Sequence, residues 1–426
     1  MKNEEIKTWS GVWWVHSGEA NNENRAYGTL SVAEGGDMIL QLEPTSHENS
    51  LKCKLSSSYT IWGIDKYNVK ITLFNVYLKN YTSNNGIKKL LVNYMLVGEH
   101  VTSMDTPCFN CVTVKYSNLK EFFFVPQVQM SYKNEFVLFQ VGSSKKDKLN
   151  IPIEEGTNWV LKGNYYWEAK TRCQEVIIQQ DTDFLIECQS EKSITEFDKQ
   201  IGEFSAFLSL ALQGKQRPHK ICFSNSSDKL HTIDFYYNIE KSDKCRCHLI
   251  GNSVSLERLS VILKKWHENY EQISPIYSYL ERSSFDNNVA LGIPEFLLIE
   301  FALEGCFKRF HNKTRANGKD LRKLKDIIRA LLDYYANIDI IANLNLNIDT
   351  IVGTRDAYTH LFPDEEKSGH EIQDVHQLWI NTQKLRILLL CCLLDSMGFT
   401  HHEIDTNFKT APILNPEAYL NNIIAF

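Results

Sequence analysis

The sequence IVGTRDAYTHLFP at residues 351–363 lies between segments with helical periodicity, and these segments indicate the fold of this half of the chain. In these segments apolar residues recur every three or four positions, as on one face of an amphipathic helix. The segments span residues 256–273, 294–311, 319–335 and 372–397. Because they are long and closely connected, they predict an antiparallel bundle of helices. Helix ends are predicted at Gly318, Gly353, Pro363 and Gly398.

Toward the N-terminus the pattern changes from helical to extended. The stretch VKITLFNVYL at residues 69–78 is rich in β-branched and aromatic residues, and residues 90–97 continue this composition. Shorter strands are predicted at residues 135–141, 176–178, 184–188, 220–224 and 232–237, and one helix at 193–212. The sequence therefore predicts an α+β chain. A mainly β region with a few helices spans residues 1–250, and an all-α helical bundle spans residues 251–426.

The composition limits the classes of protein to which this chain can belong. A chain of 426 residues with net charge -6 is long enough for two or three domains and has no overall attraction for nucleic acid or anionic membrane. Residues 1–14 lack the apolar core of a secretory signal, and the apolar run at 387–394 is too short to span a bilayer. Eleven cysteines without a framework spacing are typical of reduced thiols. We expect a cytoplasmic protein with no membrane partner.

Arg355 and His360 are the candidate catalytic pair, and four residues separate them. Spacing alone favours a surface arginine beside a packed histidine, because 12 arginines and 13 histidines make one such pair expected by chance. Residues five apart on a regular helix point about 140 degrees away from each other. Convergence on one phosphate therefore needs an irregular helix end or a second protomer, and a dimeric site is the natural expectation.

The chemistry of this pair suits RNA cleavage by the 2'-hydroxyl. Imidazole titrates near neutral pH and can act as base or acid. Guanidinium matches phosphate oxygens and stabilises the charge of the phosphorane. This chemistry needs neither a metal nor another cofactor, and we expect none.

The string IVGTRDAYTHLF resembles the arginine–histidine signature of HEPN ribonucleases, in which a polar residue follows the arginine. Many members have asparagine there, whereas this chain has Asp356, which brings a negative charge. Residues 296–309 are similar to the earlier HEPN helix that carries an acidic residue. Glu304 is the better match for that residue, and Glu300 is the other candidate.

The N-terminal half is similar to the N-terminal domain of ApeA-type proteins. The resemblance rests on GVWW at residues 11–14, YGTL at 27–30, DMILQL at 37–42 and the helix at 193–212 leading into LQGKQRP. It implies a bacterial anti-phage factor that acts by abortive infection. The HEPN bundle is then the toxic nuclease, and the N-terminal region is a sensor or regulator that responds to a phage-derived trigger.

Positive charge is concentrated between Cys306 and Arg329, where nine Lys or Arg and two Asp give a local charge of about +7. The alternatives are an RNA-binding surface and a solvated pair of helix ends. The residues assigned to RNA binding are Lys308, Arg309, Lys313, Arg315, Lys319, Arg322 and Lys323.

Two cysteine groups raise the question of zinc. Cys108 and Cys111 form one pair, and Cys245, Cys247 and His248 form a second group. Neither has the spacing of a zinc finger, so structural thiols are favoured over a metal site.

We therefore expect an endoribonuclease in which His360 is the general base or acid and Arg355 stabilises the transition state. Asp356 and Glu304 orient or tune the pair. The partners expected are an RNA substrate, with tRNA as one candidate, and further copies of the chain in a homodimer or higher homo-oligomer. Two alternatives remain: a HEPN-like module that binds RNA or nucleotide without cutting it, and a phage sensor whose bundle only dimerises.

Overall fold

The structure is a computed structural model of the 426-residue chain. It describes residues 7–16, 25–32, 37–43, 58–82, 87–123, 128–133, 136–141, 148–170, 175–225, 232–237, 242–245, 247–250, 254–284, 292–311, 323–360 and 372–411.

The described strands belong to the first 237 residues of the chain. They are β1 (Lys7–Val15), β2 (Ala26–Val32), β3 (Met38–Leu42), β4 (Tyr59–Asp65), β5 (Lys70–Thr82), β6 (Ile87–Val97), β7 (Phe109–Tyr116), β8 (Val128–Lys133), β9 (Phe136–Val141), β10 (Lys148–Glu154), β11 (Thr157–Lys170), β12 (Glu175–Lys192), β13 (Pro218–Ser224) and β14 (Ile233–Tyr237).

The described helices lie mostly in the second half of the chain. They are α1 (Leu119–Phe122), α2 (Ile194–Leu212), α3 (Leu256–Ser284), α4 (Ile293–Cys306), α5 (Leu324–Tyr334), α6 (Asp339–Ala342), α7 (Ile348–Thr359), α8 (Val375–Ser396) and α9 (His401–Thr410). A single π-helical turn, Phe307–His311, continues α4. The β-rich first half and helical second half confirm the predicted α+β class.

The strands form a sheet with the order β10-β11-β12-β7-β13-β14-β6-β3-β2-β1-β4-β5, and β6 also pairs with β5. The six strands from β6 through β3, β2, β1 and β4 to β5 therefore form a closed ring. Every second residue of an antiparallel strand points inward, which fills the ring with apolar side chains. Trp13, Leu30, Leu40, Leu73 and Leu90 are among those that are fully buried there.

The chain divides into two compact units. The first consists of Met1–Ser205 and Arg217–Ser242, and the second of Ala206–Gln216 and Asp243–Phe426. The single boundary predicted at residue 250 stays a prediction. No helix in the described ranges combines the length and the apolar character needed to cross a bilayer.

One part of the strand prediction is wrong. Residues 176–178 and 184–188 were expected to be separate strands, but both belong to the 18-residue strand β12. The polar residues between them are kept in the strand by antiparallel pairing with β11, which runs from Thr157–Cys188 to Lys170–Glu175. Backbone hydrogen bonds to a neighbouring strand are independent of side-chain polarity, so periodicity alone does not show this continuity.

The helix ends also differ from the predicted ones. The helix expected at 256–273 continues to Ser284 with Pro275 inside it. Gly353 does not lie at a helix end: it is buried within α7, which begins five residues earlier because the Asn347 side chain accepts a hydrogen bond from Thr350 N. Gly318 and Pro363 lie outside the described residues, as does the start of the helix expected at 319–335.

Candidate active site around Arg355

The candidate site is formed by α4 and α7, two helices of the second unit. Glu300 and Glu304 lie one turn apart on α4, and Lys308 follows after another four residues. Arg355 and Asp356 lie in the last two turns of α7, and His360 caps its C-terminus. The structure thus places an acidic stripe of one helix beside the arginine of the other.

The Arg355 guanidinium binds two carboxylates. Its Nη1 donates a hydrogen bond of 2.9 Å to Asp356 Oδ1, and its Nη2 lies 3.6 Å from Glu304 Oε1. Burial by itself lowers the pKa of Arg355, but the Asp356 hydrogen bond and the charges of Glu304, Asp356 and Glu300 outweigh it and raise that pKa. The Arg355 guanidinium therefore stays positively charged. Asp356 and Glu304 hold it in position.

Glu304 is also bound from the other side. Lys308 Nζ donates a hydrogen bond of 3.1 Å to its second carboxylate oxygen, across one turn of helix. The Glu304 side chain is 16% exposed, so it is shielded from most of the solvent. The position of Glu304 between two cations fixes its carboxylate beside Arg355.

Glu300 differs from Glu304 in having no such partner. It is 1% exposed, and neither carboxylate oxygen has a hydrogen-bond partner among the described residues. Burial raises the pKa of Glu300 well above its ordinary value; Arg355 opposes this effect, and the charges of Glu304 and Asp356 add to it. Burial without a hydrogen-bond partner therefore favours the protonated form of Glu300. The sequence identified this residue as an alternative to Glu304 but gave no signal of its burial.

His360 is exposed at the end of α7. Its backbone N–H donates to Asp356 O over 3.0 Å, the α-helical pattern, and its φ and ψ of -93 and -1 degrees are near-helical. The turn from Arg355 to His360 is therefore regular, and the irregular helix end considered from the sequence is not found.

The basic residues predicted to bind RNA are only partly described. Lys308 and Arg309 are exposed on the π turn after α4, and Lys323 is exposed at the start of α5. Lys313, Arg315, Lys319 and Arg322 lie outside the described residues. Lys308 is paired with Glu304, so this cation belongs to the candidate site as well as to the basic stretch.

The cysteine groups considered for zinc lie one in each unit. Burial raises the pKa of Cys108 to about 12, which disfavours the thiolate that a metal requires. In the second unit Cys245 Sγ lies 3.8 Å from His248 Nε2.

Comparison with known proteins finds two family models that match overlapping parts of the chain. A family model described as ApeA N-terminal domain 1 matches residues 8–287, more than half of the chain. A second, described as Apea-like HEPN, matches residues 262–403, which include Glu304, Arg355 and His360. No curated protein and no solved structure matches the chain.

Proposed function

The chain belongs to the ApeA family of HEPN proteins, and from this premise we propose that it is an endoribonuclease of anti-phage defence that acts through Arg355 and His360. The observation that carries the proposal is the contact of 3.6 Å between Arg355 Nη2 and Glu304 Oε1. This contact positions the guanidinium of Arg355, and the exposed imidazole of His360 lies at the end of the same helix.

In the proposed reaction the 2'-hydroxyl of RNA attacks the adjacent phosphorus. His360 takes the hydroxyl proton or gives one to the leaving 5'-oxygen, because imidazole can do either near neutral pH. Arg355 stabilises the charge that builds up on the phosphorane oxygens. The products are a 2',3'-cyclic phosphate and a 5'-hydroxyl, and no metal ion takes part.

In the proposed resting state, without RNA, the acidic residues around Arg355 occupy its guanidinium. The carboxylates of Glu304 and Asp356 pair with the cations of Arg355 and Lys308. A phosphate must therefore displace at least one carboxylate, and Asp356 is the more exposed of the two at 33% against 16%. We propose that RNA displaces Asp356 and that Glu304 keeps the guanidinium in place.

The same proposal includes a homodimer in which Arg355 of one subunit and His360 of the other act on one phosphate. It rests on the regular helical turn between the two residues, which points their side chains about 140 degrees apart.

The first experiment is expression of the wild type, Arg355→Ala, His360→Ala and Thr359→Ala in infected and uninfected cells, followed by sequencing of RNA ends. Thr359 is an exposed neighbour with no assigned role, so it is the matched control. We expect discrete cleavage with cyclic phosphate ends for the wild type and Thr359→Ala. Each of the other two changes should lower cleavage by at least about 100-fold.

Co-expression of Arg355→Ala and His360→Ala distinguishes a shared site from a site within one subunit. If the site is shared, one of the two sites in each heterodimer contains both intact residues and cleavage returns in part. If each subunit holds its own site, the mixture stays as inactive as either variant alone.

The alternative is a module that binds RNA without cutting it. It predicts that both variants protect cells as well as the wild type and that purified protein binds RNA with its ends unchanged. The exposure of His360 and the partial exposure of Arg355, 25%, argue against a purely structural role for the pair in packing.

A further inference from the structure

The π turn Phe307–His311 connects α4, the helix that carries Glu304, to the basic stretch of the chain. Its first residue, Phe307, is buried, whereas Lys308 and Arg309 are exposed. A π turn has hydrogen bonds from residue i to residue i+5, and single turns of this kind occur frequently at functional sites. Because this pattern is rare, we expect contacts from outside the helix to hold the turn in place.

The two exposed cations of the π turn reach back along α4. Lys308 Nζ donates a hydrogen bond of 3.1 Å to Glu304. Arg309 Nη1 lies 3.2 Å from the point at which a Cβ on Gly305 would stand, so its guanidinium lies against the residue that follows Glu304. Since Glu304 also contacts Arg355, the π turn sets the position of two cations beside the candidate active site.

A chain of two hydrogen bonds ties the end of the π turn to α8. Tyr335 Oη donates to Asp395 Oδ2 over 3.1 Å and lies 3.1 Å from His311 Nε2. Since the hydroxyl has one proton and gives it to Asp395, it accepts from His311, which carries a proton on Nε2. Burial is the main reason that the pKa of Tyr335 is raised, so the hydroxyl keeps its proton.

Ring contacts hold the His311 imidazole at the same place. Its ring centroid lies 5.0 Å from that of Tyr334 and 5.8 Å from that of Tyr335, both edge to face. The ring of Phe307, from the start of the turn, stacks on it at 6.2 Å. Tyr335 is fully buried, so the group that accepts the His311 hydrogen bond is itself fixed by packing.

The π turn is what brings His311 to Tyr335. In an uninterrupted α-helix His311 would lie on nearly the same face as Glu304, because seven residues make almost two turns. A π turn contains about one residue more than an α turn, so it rotates His311 by about 100 degrees from that face. The hydrogen bond to Tyr335 therefore exists only while the turn keeps its π form, and it stabilises that form.

We propose that His311, Tyr335 and Asp395 are positioning residues for RNA binding, because their hydrogen-bonded chain fixes the π turn and so directs Lys308 and Arg309 at the RNA backbone. The inference rests on the proposed function, in which RNA is the substrate. None of the three residues touches the reacting phosphate. They act on it through the two cations of the turn.

Matched substitutions separate the hydrogen bonds from packing. Tyr335→Phe removes only the hydroxyl that His311 and Asp395 share. His311→Gln keeps an N–H donor near the position of the imidazole Nε2, and His311→Leu removes it. Tyr277→Phe, at a buried tyrosine of α3 that packs against Trp266, controls for the loss of a buried tyrosine hydroxyl. Circular dichroism of each full-length variant checks that it is folded.

The first measurement is hydrogen exchange of the π turn in the full-length protein without RNA. Loss of the shared hydroxyl leaves buried polar groups unpaired and makes local opening easier. We expect the amides of the turn to exchange at least about tenfold faster in Tyr335→Phe and His311→Leu than in the wild type. His311→Gln and Tyr277→Phe should exchange at the wild-type rate.

The second measurement is binding of a single-stranded RNA at a series of salt concentrations. Tyr335→Phe and His311→Leu should raise the Kd about tenfold and lower the slope of log affinity against log salt by about 1 to 2, since two cations are misplaced. His311→Gln should restore both values. The kcat at saturating RNA should stay within about threefold of wild type, because Arg355 and His360 are unchanged. Partial unfolding would reduce the amount of active protein but would not change the salt slope.

The inference is overturned if the π turn exchanges at the wild-type rate, or if RNA affinity and salt slope are unchanged, in Tyr335→Phe and His311→Leu. These two variants break the chain independently, so one that folds is enough to decide. A wild type that binds RNA but leaves it intact overturns the proposed nuclease alone, because neither measurement needs cleavage. A wild type that does not bind RNA overturns both.

Discussion

Thr354 Oγ1 accepts a hydrogen bond of 3.0 Å from the backbone N–H of Gln373 and donates one of 2.8 Å to Thr350 O. Thr354 lies directly before Arg355 on α7 and is fully buried, whereas Gln373 lies just before α8. One hydroxyl thus ties the helix of the candidate site to the start of the longest described helix after it, and fixes the rotation of α7 about its axis.

Replacement of Thr354 by Val should destabilise the protein and loosen the site. The valine keeps the shape of threonine but leaves the buried N–H of Gln373 without a partner, which costs about 1–3 kcal/mol. Urea unfolding of Thr354→Val and of the exposed control Thr359→Val measures this cost, and RNA cleavage should decrease only in the first. Equal stability of the two variants contradicts the role assigned to Thr354.

Glu300→Gln should change how stability depends on pH. Because the folded-state pKa of Glu300 is raised, its contribution is fully present below the ordinary value of 4.5 and is lost as pH rises toward the folded pKa. Glutamine cannot ionise, so the stability of the variant relative to wild type should increase with pH by about 1.4 kcal/mol per unit. Denaturation midpoints between pH 4.5 and 8 test this, with Thr359→Ala expected to follow the wild type. Parallel curves for wild type and Glu300→Gln show that Glu300 is ionised.

The ion pair of Arg258 and Glu403 should stabilise the bundle above the ordinary pKa of glutamate. Arg258 Nε and Nη2 donate hydrogen bonds of 2.7 and 2.8 Å to the two oxygens of Glu403, which joins α3 to α9. The Arg258 hydrogen bond is the main reason that the pKa of Glu403 is lowered to about 2, although burial opposes it. The stabilisation is therefore present above pH 4.5 and is lost as pH falls toward 2.

A double-mutant cycle with Arg258→Ala and Glu403→Gln should give a coupling of about 1 kcal/mol at pH 7. The coupling should decrease steeply toward pH 2, where about half of the carboxylate is protonated. A coupling that is as large at pH 2 as at pH 7 would mean that packing, not charge, joins these residues.

Arg309→Ala should weaken RNA binding in a manner that depends on salt. Arg309 is exposed beside the candidate site, and each cation that contacts a phosphate adds about one to the slope of log affinity against log salt. We expect that slope to decrease by about 1 in fluorescence-anisotropy titrations with a single-stranded RNA. Lys264→Ala, an exposed cation of α3 outside the basic stretch, is the matched control. The same slope for Arg309→Ala and wild type places the RNA elsewhere.

The order of elements was predictable because hydrophobic periodicity is a local property of the chain. Residues 70–78 fall within β5, and the segments predicted from residue 256 onward overlap α3, α4, α5 and α8. The candidate site was predictable for a different reason: the residue types of Arg355 and His360 and their spacing are written in one short stretch. Glu304 could be identified only through resemblance to a family.

Only the tertiary structure determined those features that depend on contacts between residues distant in sequence. The sequence by itself determined the α+β class, the helical second half and the Arg355–His360 motif, since each is local. It could not determine that β12 is one strand, because the partner β11 maintains it, or that Gly353 lies inside α7. Nor could it show that Glu300 is buried with no hydrogen-bond partner among the described residues while Glu304 binds Arg355, although both lie on α4. Burial and charge at a side chain are set by the elements packed against it, and only the folded chain brings those together.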